Sequence, residues 1–328
     1  MTALWVAALG IALLVAAITG LRFMTIMPGR SHRGALPPLT AEAAVLRDDL
    51  RRHVELLGRT IGERHVWRPE ALAQAADYVE RRLGGVGYRV GHQGFTARGE
   101  AVANVVAERE GDRPGEIVLV GAHYDTVRGS PGANDNGSGV AAMLELARLL
   151  RNVRLARTVR FVAFANEESP FFMTRFMGSR VCARACRAAG ERVAAMLSLE
   201  TIGCYLDRPR SQHYPGPFAL AYPTVGNFIA FVGNLRSRAL VQRCVATFRR
   251  TTPFPSEGAA LPAYVPGVFW SDHWAFWREG YRAVMVTDTA PFRYRAYHTA
   301  HDTPDRLDYE RMAMVVLGLA EVVRDLAA

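Results

Sequence analysis

Hydrophobic residues follow two periodicities in this chain, and the two alternate from segment to segment. Apolar residues at three- and four-residue spacing predict helices, whereas short continuous apolar runs predict buried strands. The predicted helices are residues 41–58, 68–87, 139–152, 175–190, 237–251 and 308–327. The predicted strands are residues 88–95, 101–110, 116–125, 158–168, 193–203 and 281–288. Strands separated by helices predict an α/β fold with a mostly parallel central sheet flanked by helices on both faces.

The N-terminal segment is uncharged over residues 3–21 and is apolar throughout. About 20 apolar residues are needed to cross a bilayer as a helix, so residues 1–22 are predicted to be one transmembrane anchor or uncleaved signal. A cleaved signal peptide is the first alternative, and a buried core helix is the second. The partner expected for this segment is a lipid bilayer.

A linker, rich in Pro, Gly and Arg, is predicted for residues 23–41, with Thr40 capping the next helix. Residues 42–328 show no internal repeat and no break that would require a second unit. We therefore expect this part of the chain to form a single domain.

The composition narrows the classes of partner. All forty basic residues are arginine and the net charge is +9. The arginines are scattered and lack interleaved aromatic residues, so we expect no nucleic acid as a partner. A solvated surface, or attraction to an anionic membrane surface, explains the charge better. The four cysteines are too sparse to indicate a disulfide framework.

Residues that can bind a metal follow several of the predicted strands. In a parallel sheet, ligands bind beyond the carboxyl ends of the strands, so these side chains are expected to meet. The candidates are His123 and Asp125, Asp135 in "GANDNGSGV", Glu167 and Glu168, Glu200, and His298. Each of them alone has an ordinary explanation, such as a turn or a helix cap. Their joint position at successive strand ends predicts a metal centre.

The chemistry of these residues suits zinc. Imidazole and carboxylate ligands without cysteine are typical of an open catalytic zinc site. Two histidines and three carboxylates predict two Zn²⁺ ions per chain with one bridging carboxylate, and a remaining carboxylate is then available as a general base. Asp125 lies two residues after His123 and can accept a proton from its second ring nitrogen.

The motifs "GAHYDTV…GANDNGSG", "FANEES", "LETIG" and "YHTAHDTPDRLD" occur in this order. The ordered set resembles the zinc exopeptidases of metallopeptidase family 28, which include leucyl aminopeptidases and glutamate carboxypeptidases and share their fold with glutaminyl cyclases. The resemblance extends from Leu46 to the C-terminus. It implies the zinc exopeptidase (phosphorylase/hydrolase-like) fold and makes residues 42–328 the catalytic domain.

The resemblance also implies a role for each candidate residue. Glu167 would be the general base, Asp125 would orient His123, and Tyr297 would stabilise the tetrahedral oxyanion. The implied metal ligands are His123, Asp135 as the bridge, Glu168, Glu200 and His298. Asp272 in "SDHWAFWREG" is expected to shape the site without taking part in the chemistry.

One residue departs from the pattern. Glu200 occupies a position at which the classical aminopeptidases usually have aspartate, so the metal spacing and the peptide end that is recognised stay open. The Pro- and Gly-rich stretch from Leu206 to Val268 looks like an insertion and is expected to form much of the specificity wall.

The expected function is a zinc-dependent exopeptidase, first of all an aminopeptidase that acts on peptides or small substrates with a free N-terminus. A glutaminyl cyclase with one zinc ion and a non-catalytic domain of the same fold are the alternatives. The resemblance places the catalytic domain outside the cytoplasm. Arg22, Arg30 and Arg33 after the apolar segment favour the cytoplasm, since positive flanks tend to stay inside.

Overall fold

The computed structural model describes residues 2–328 and contains one eight-stranded sheet. The strands are β1 Arg89–Ala97, β2 Glu100–Arg109, β3 Arg113–His123, β4 Arg157–Phe164, β5 Arg192–Glu200, β6 Ile229–Asn234, β7 Ser256–Leu261 and β8 Ala283–Thr287. Their order across the sheet is β1-β2-β4-β3-β5-β8-β6-β7. The four central strands β4, β3, β5 and β8 are parallel. Antiparallel pairings join β1 to β2, β2 to β4 and β6 to β8, so the sheet is mixed towards its edges.

Helices cover both faces of this sheet, which confirms the predicted α/β class. The helices are α1 Thr2–Thr25, α2 Ala41–Glu55, α3 Pro69–Gly85, α4 Gly139–Leu150, α5 Gly178–Ala188, α6 Arg238–Thr251, α7 His273–Arg278, α8 Ala290–Arg293 and α9 Tyr309–Ala327. One face packs against α2, α3, α4, α6 and α9, and the other packs against α5 and α7.

The central strands are apolar on both sides because both sides are covered. In β3, Val118 and Val120 belong to the core under α4 and α9, whereas Leu119 belongs to the core under α5 and α7. Continuous apolar runs of this kind are typical of parallel strands buried on two faces. This is why the sequence pattern identified these strands.

The stretch from Leu206 to Val268 is not an insertion, and this part of the expectation was wrong. It contributes β6 and β7 to the main sheet and α6 to the helices that cover it. The two strands were missed for different reasons. β6 contains an apolar run at residues 228–232, but the Gly, Pro and Asn residues on both sides favour a loop. β7, "SEGAAL", shows neither a long apolar run nor a clear alternation. The same stretch does line a pocket, which is described below.

The N-terminal helix α1 is the one helix of the described residues that is long and apolar enough to cross a membrane. It ends at Thr25, three residues beyond the predicted anchor. The residues that follow lie against the sheet: Met27 is buried, and the Ser31 hydroxyl accepts a hydrogen bond from the backbone of Ser256 in β7 at 2.9 Å. Thr40 caps α2 as predicted, since its hydroxyl accepts the Ala43 N–H at 3.2 Å. The four cysteines are free and buried.

Candidate metal centre

The carboxyl ends of three adjacent parallel strands meet at the candidate site. β3 ends at His123 and β5 ends at Glu200, while Glu167 and Glu168 follow β4 after a two-residue turn. Asp135 lies in the segment just before α4, where its own backbone is not helical, and His298 follows α8. The fold therefore brings all the predicted metal-binding residues to one edge of the sheet.

These side chains form two groups that share Asp135. In the first group, the Nε2 atom of His123 lies 3.3 Å from Oδ1 of Asp135 and 3.4 Å from Oε2 of Glu200. In the second, the Nε2 atom of His298 lies 3.0 Å from Oδ2 of Asp135 and 3.4 Å from Oε1 of Glu168. The two oxygens of Asp135 therefore face different groups, as a bridging carboxylate requires.

Both groups fit a zinc ion. Ligand atoms bound at about 2.0–2.1 Å in a tetrahedron lie about 3.3 Å apart, which matches these separations. The Nε2 atom of His123, both Asp135 oxygens and Oε1 of Glu168 are buried without a hydrogen-bond partner. Buried polar atoms are normally satisfied, so four such atoms facing each other indicate a cation. The ligands contain imidazole and carboxylate and no thiolate, as in open zinc sites.

The electrostatics of the site favour a cation as well. Burial, followed by repulsion from Asp135, raises the pKa of Glu168 to about 7. Burial also raises the pKa of Glu167 well above its ordinary value, and that of Glu200 in the same direction. These carboxylates are costly to ionise because they are buried within a few ångströms of one another. Divalent cations would offset their mutual repulsion.

Asp125 connects the histidine to the glutamate pair. Its Oδ1 atom lies 3.5 Å from Nδ1 of His123, and the same nitrogen is 3.2 Å from the Asp125 carbonyl. Its two carboxylate oxygens accept the backbone N–H groups of Glu167 at 3.0 Å and Glu168 at 3.1 Å. Asp125 thus contacts His123 mainly through its backbone carbonyl, and its carboxylate fixes the turn that carries both glutamates.

Hydrogen bonds hold the turn around Asp135 in place. The Asp302 carboxylate accepts the N–H groups of Asn134 at 2.8 Å and of Asp135 at 3.0 Å. The Asn136 side chain donates to the Leu199 carbonyl at 2.7 Å and accepts the Thr201 N–H at 3.1 Å, which ties the turn to the end of β5. At one position this turn requires a glycine.

That position is Gly132, which has a positive φ of 62°. A Cβ atom there would collide with the Thr126 side chain and the Asp135 carbonyl. Only glycine combines this backbone conformation with such close approach. The residue therefore allows the chain to turn back from the His123 segment to Asp135.

Arg64, which the sequence did not single out, lies at the centre of this arrangement and is fully buried. Its guanidinium donates to the carbonyls of Tyr124 at 2.6 Å, Pro131 at 2.8 Å and Gly132 at 2.9 Å, and also to two carbonyls of the turn after α2. Its backbone pairs with Thr126. One side chain therefore joins the segment after His123 to the segment before Asp135.

Nothing in the sequence pattern separates Arg64 from the other arginines, because arginine supplies all forty basic residues of this chain. Asp302 carried a usable signal, since it lies in the quoted "YHTAHDTPDRLD" motif. The side chains of both residues form hydrogen bonds with backbone groups near the ligands and do not contact a ligand atom. A search for metal-binding residue types therefore does not find them.

Glu200 is supported by hydroxyl groups. Ser271 donates to Oε2 of Glu200 at 2.7 Å and lies 2.8 Å from the Ser198 hydroxyl. The next residue, Asp272, is fully buried, and burial raises its pKa to about 7. Asp272 lies outside both groups of candidate ligands, and its role in shaping the site stays a prediction.

Tyr297 lies at the junction between the metal centre and a pocket. Its ring stacks on the His298 ring with centroids 3.8 Å apart. Tyr297 and Glu200 both line a cavity that we call the apolar pocket, whose other walls come from β6, β7, β8, from residues 212, 214, 215, 218 and 222, and from residues 265–268 and 270. Most of its lining is aromatic or aliphatic, including Phe218, Tyr222 and Trp270.

Three residues at the site have a backbone in the left-handed region although they are not glycine. They are Asn166 before Glu167, Thr201 after Glu200, and His298 itself, with φ of 60°, 49° and 58°. Such conformations cost free energy and persist where surrounding contacts impose them, often at functional sites. Here Thr201 and His298 lie beside or at a candidate ligand, and Asn166 lies beside Glu167.

Comparison with known proteins gives a family match and a close relative. The family model described as "Peptidase family M28" matches residues 104–323, which include every candidate site residue. The protein YfbL of Escherichia coli (strain K12), whose function is uncharacterised, is 37% identical over 295 residues, 87% of this chain and 89% of that protein. Aminopeptidase YwaD of Bacillus subtilis (strain 168) is 58% identical over 53 residues, which are 16% of this chain and 12% of that protein.

Among solved structures, the glutaminyl cyclase of Fimbriiglobus ruber superposes with a TM-score of 0.62. The alignment covers 91% of this chain and 99% of the cyclase, at 21% sequence identity. At this level of identity the similarity shows a shared fold.

Proposed function

Since this chain belongs to peptidase family M28, we propose that it is a zinc-dependent aminopeptidase that removes the first residue of peptides with a free N-terminus. Membership of the family makes the chain a metallopeptidase with zinc as its metal, which argues against the non-catalytic alternative. The aminopeptidase specificity and the number of zinc ions belong to the proposal.

The observation that carries the proposal is the pair of ligand groups joined by Asp135. We assign His123, Asp135 and Glu200 to one zinc ion and Asp135, Glu168 and His298 to the other. When bound, the ions would polarise the scissile carbonyl and lower the pKa of a water molecule, which is the usual chemistry of co-catalytic sites. The remaining steps fall to side chains of this chain.

Glu167 is the residue we assign as general base. Its Oε2 atom lies 3.9 Å from Nε2 of His123, beside the first ligand group, and its pKa is raised by burial. A carboxylate with a raised pKa can take a proton from the attacking water and then release it to the leaving amine. Asp125 supports this residue because it accepts the Glu167 backbone N–H.

Tyr297 is the residue we assign to the oxyanion. Stacking on His298 holds its ring next to the second ligand group, and the residue also lines the apolar pocket. A phenol at this junction can donate a hydrogen bond to the carbonyl oxygen as it becomes negative. The substrate would then span from the pocket to the metals.

The apolar pocket supports the choice of substrate. Glu200 lies on its wall, and Phe218, Tyr222 and Val232 line its interior. A peptide bond at the metals would place the side chain of the first residue in this pocket, where apolar burial favours large aliphatic or aromatic groups. We therefore expect leucyl and phenylalanyl substrates to be preferred.

A panel of three matched substrates tests this proposal. It contains a phenylalanyl peptide with a free amino group, the same peptide with an acetylated N-terminus, and a peptide with phenylalanine at its C-terminus. The zinc-loaded protein should release phenylalanine from the first substrate only. Cleavage of the third substrate at its C-terminus would show a carboxypeptidase and reject the proposal.

The glutaminyl cyclase alternative shares the fold. A single-zinc cyclase has no use for a second ligand group, whereas this chain has two complete groups. Ammonia release from an N-terminal glutaminyl peptide, with one zinc per chain, would establish the cyclase and reject the aminopeptidase.

For the location of the enzyme, we propose that α1 anchors the protein in a membrane with the catalytic domain outside the cytoplasm. The length and apolar character of α1 support the anchor, and the family resemblance supports the outward orientation. Arg22, Arg30 and Arg33 favour the reverse orientation. A C-terminal reporter that is active only outside the cytoplasm would support the proposal, and one active only inside would reject it.

A further inference from the structure

The apolar pocket and the end of α1 are parts of the same cluster of side chains. Leu21 and Met24, in the last turns of α1, pack against a cluster that contains Phe218, Leu261 and Val268. The same three residues line the apolar pocket. The helix that is apolar enough to cross a membrane therefore contacts the back of the pocket wall.

No free tether separates α1 from the sheet. Arg238 donates to the Phe23 carbonyl at 2.8 Å, and its guanidinium lies 4.1 Å from the centre of the Phe23 ring. Arg249 donates to the carbonyls of Pro28 at 3.0 Å and Gly29 at 3.2 Å. The segment after α1 is thus fixed along the edge strand β7, and the pocket keeps a fixed position relative to α1.

The pocket extends from the metal centre towards the end of the sheet at which α1 docks. Thr287 pairs with both Glu200 and Ala230, which places this row of residues at the metal centre. Asn234, four residues further along β6, pairs with Leu261 at the other end of the pocket wall. Four strand residues span about 13 Å, so the pocket connects the metals with the α1 side of the molecule.

Two large apolar side chains near this cluster point into solvent. Leu220 is 86% exposed and Tyr264 is 82% exposed, and they lie close in sequence to Phe218 and Val265 of the cluster. Arg22, Arg30 and Arg33 are exposed at and just after the end of α1. Leucine and tyrosine next to arginines suit the boundary between lipid tails and anionic headgroups.

We propose that Leu220, Tyr264 and the end of α1 form one membrane-contacting face in the lipid interface, so that the apolar pocket lies beside the bilayer and serves peptides bound there. We expect the bilayer to cover this face, because α1 is the candidate membrane span and its last turns pack against the same cluster. Leu21 and Met24 lie within about 6 Å of the helix end, which places the cluster at interfacial depth. The part that concerns substrates rests on the proposed peptidase function, whereas the membrane contact does not.

The depth of single residues in the bilayer tests the contact directly. The four natural cysteines are buried, so an introduced cysteine can be labelled selectively with a nitroxide. Labels go on Leu220→Cys and Tyr264→Cys, on Leu14→Cys in the middle of α1, and on Thr96→Cys in β1. β1 is the opposite edge strand, seven strand spacings or about 34 Å from β7. The full-length protein is reconstituted in vesicles of phosphatidylcholine and phosphatidylglycerol.

Accessibility to oxygen and to a nickel chelate gives the depth of each label. We expect Leu14 in the hydrocarbon, Leu220 and Tyr264 in the interface, and Thr96 in water. Water exposure of both the Leu220 and Tyr264 labels, equal to that of Thr96, would overturn the proposal. A Leu14 label in water would overturn it as well, since α1 would then not be inserted.

Activity in the same vesicles tests the consequence for substrates. The double variant Leu220→Ser/Tyr264→Ser is compared with the wild type on a soluble phenylalanyl peptide and on the same peptide with a C-terminal alkyl chain. Loss of the two apolar contacts should lower kcat/KM for the vesicle-bound peptide about tenfold and leave the soluble peptide within about twofold.

An equal effect on both peptides would contradict the role in substrate access. The control variant Val45→Ser removes another exposed apolar side chain, which lies on α2 and outside this face, and should behave as the wild type. If the zinc-loaded wild type cleaves neither peptide, the peptidase proposal fails, and the depth measurement still decides the membrane contact.

Discussion

Glu167 and Glu168 are neighbours in the chain, yet the fold gives them different surroundings. Glu168 lies 3.4 Å from Nε2 of His298 within a ligand group, whereas Glu167 is outside both groups and 3.9 Å from Nε2 of His123. Asp125 fixes the backbone of both residues. The difference supports a division of labour in which one carboxylate binds metal and the other moves protons.

The substitution Glu167→Gln tests this division. It should lower kcat by about 10²–10⁴, since a general base contributes about that much, and should leave the zinc content unchanged. Steady-state kinetics and metal analysis of the same preparation measure both effects. Glu145→Gln is the control, because Glu145 is buried against His53 away from the metals and should alter stability without altering kcat. Full activity of the Glu167 variant would assign the base elsewhere.

The substitution Arg64→Lys tests whether this buried arginine holds the metal ligands in position. Lysine keeps the positive charge of Arg64 but cannot reach the carbonyls on both sides of the turn, so Arg64→Lys should loosen the positions of His123 and Asp135. Changes in groups that orient metal ligands typically cost about 10–100-fold in metal affinity, and we expect a loss of this size. Competition with a zinc chelator measures it.

Arg157→Lys is the matched control for Arg64→Lys. Arg157 also donates to backbone carbonyls, but these belong to Leu326 and Ala328 at the opposite end of the central strands. Its replacement should leave zinc affinity unchanged. An equal loss in both variants would mean that Arg64 acts only through general stability.

The ligand candidates could be predicted from sequence because each of them follows a strand that is easy to recognise. His123, Glu168 and Glu200 were predicted from their positions at or just after the ends of predicted strands. The structure brings them together with Asp135 and His298. Arg64 and Asp302 could not be predicted in the same way, because their partners are backbone groups far away in the chain. Their roles exist only in the folded geometry.

Among the secondary-structure elements, those buried on both faces were predictable and those at the β7 edge were not. The central strands β3, β4 and β5 have continuous apolar runs with charged residues at their ends, whereas the apolar run of β6 lies between loops rich in Gly and Pro and β7 has no such run. The segment after α1 was predicted as a linker from its composition. Its contacts with Arg249 and Ser256 are long-range, so local composition carries no sign of them.

Helix α7 allows a prediction about pH. Its first residue, His273, is fully buried, and one ring nitrogen lies 2.7 Å from the Val268 carbonyl. Burial lowers the pKa of His273 to about 4. In the unfolded chain the value is about 6.5, so the folded state binds this proton less readily. The stabilising effect is therefore complete above about pH 6.5 and is lost as the pH falls towards 4.

Urea unfolding of the wild type and of His273→Gln at pH 7.5 and pH 4.5 measures this effect. The wild type should be the more stable protein at pH 7.5, and its advantage should shrink by up to about 3 kcal/mol at pH 4.5. Loss of zinc in acid affects both proteins alike. The exposed residue His92, replaced in the same way, should show no comparable change, and a constant advantage of the wild type over this range would contradict the prediction.

The central sheet places two surfaces of different chemistry side by side in the molecule. The carboxyl ends of β3, β4 and β5 carry the charged centre, and the β6–β7 side carries the apolar pocket with α1 behind it. A peptide held between them would have its first side chain in an apolar environment and its first peptide bond at the metals. The proposed reaction would use both surfaces, the charged centre for the peptide bond and the apolar pocket for the side chain.

The proposed function requires two zinc ions, one in each ligand group around Asp135, that act together on the first peptide bond. Metal-free protein can be titrated with zinc while release of the N-terminal residue from a phenylalanyl peptide is followed. We expect activity to rise until two zinc ions are bound per chain, and we expect Asp135→Asn to abolish it. Full activity at one zinc per chain, or ammonia release from a glutaminyl peptide without peptide hydrolysis, would contradict it.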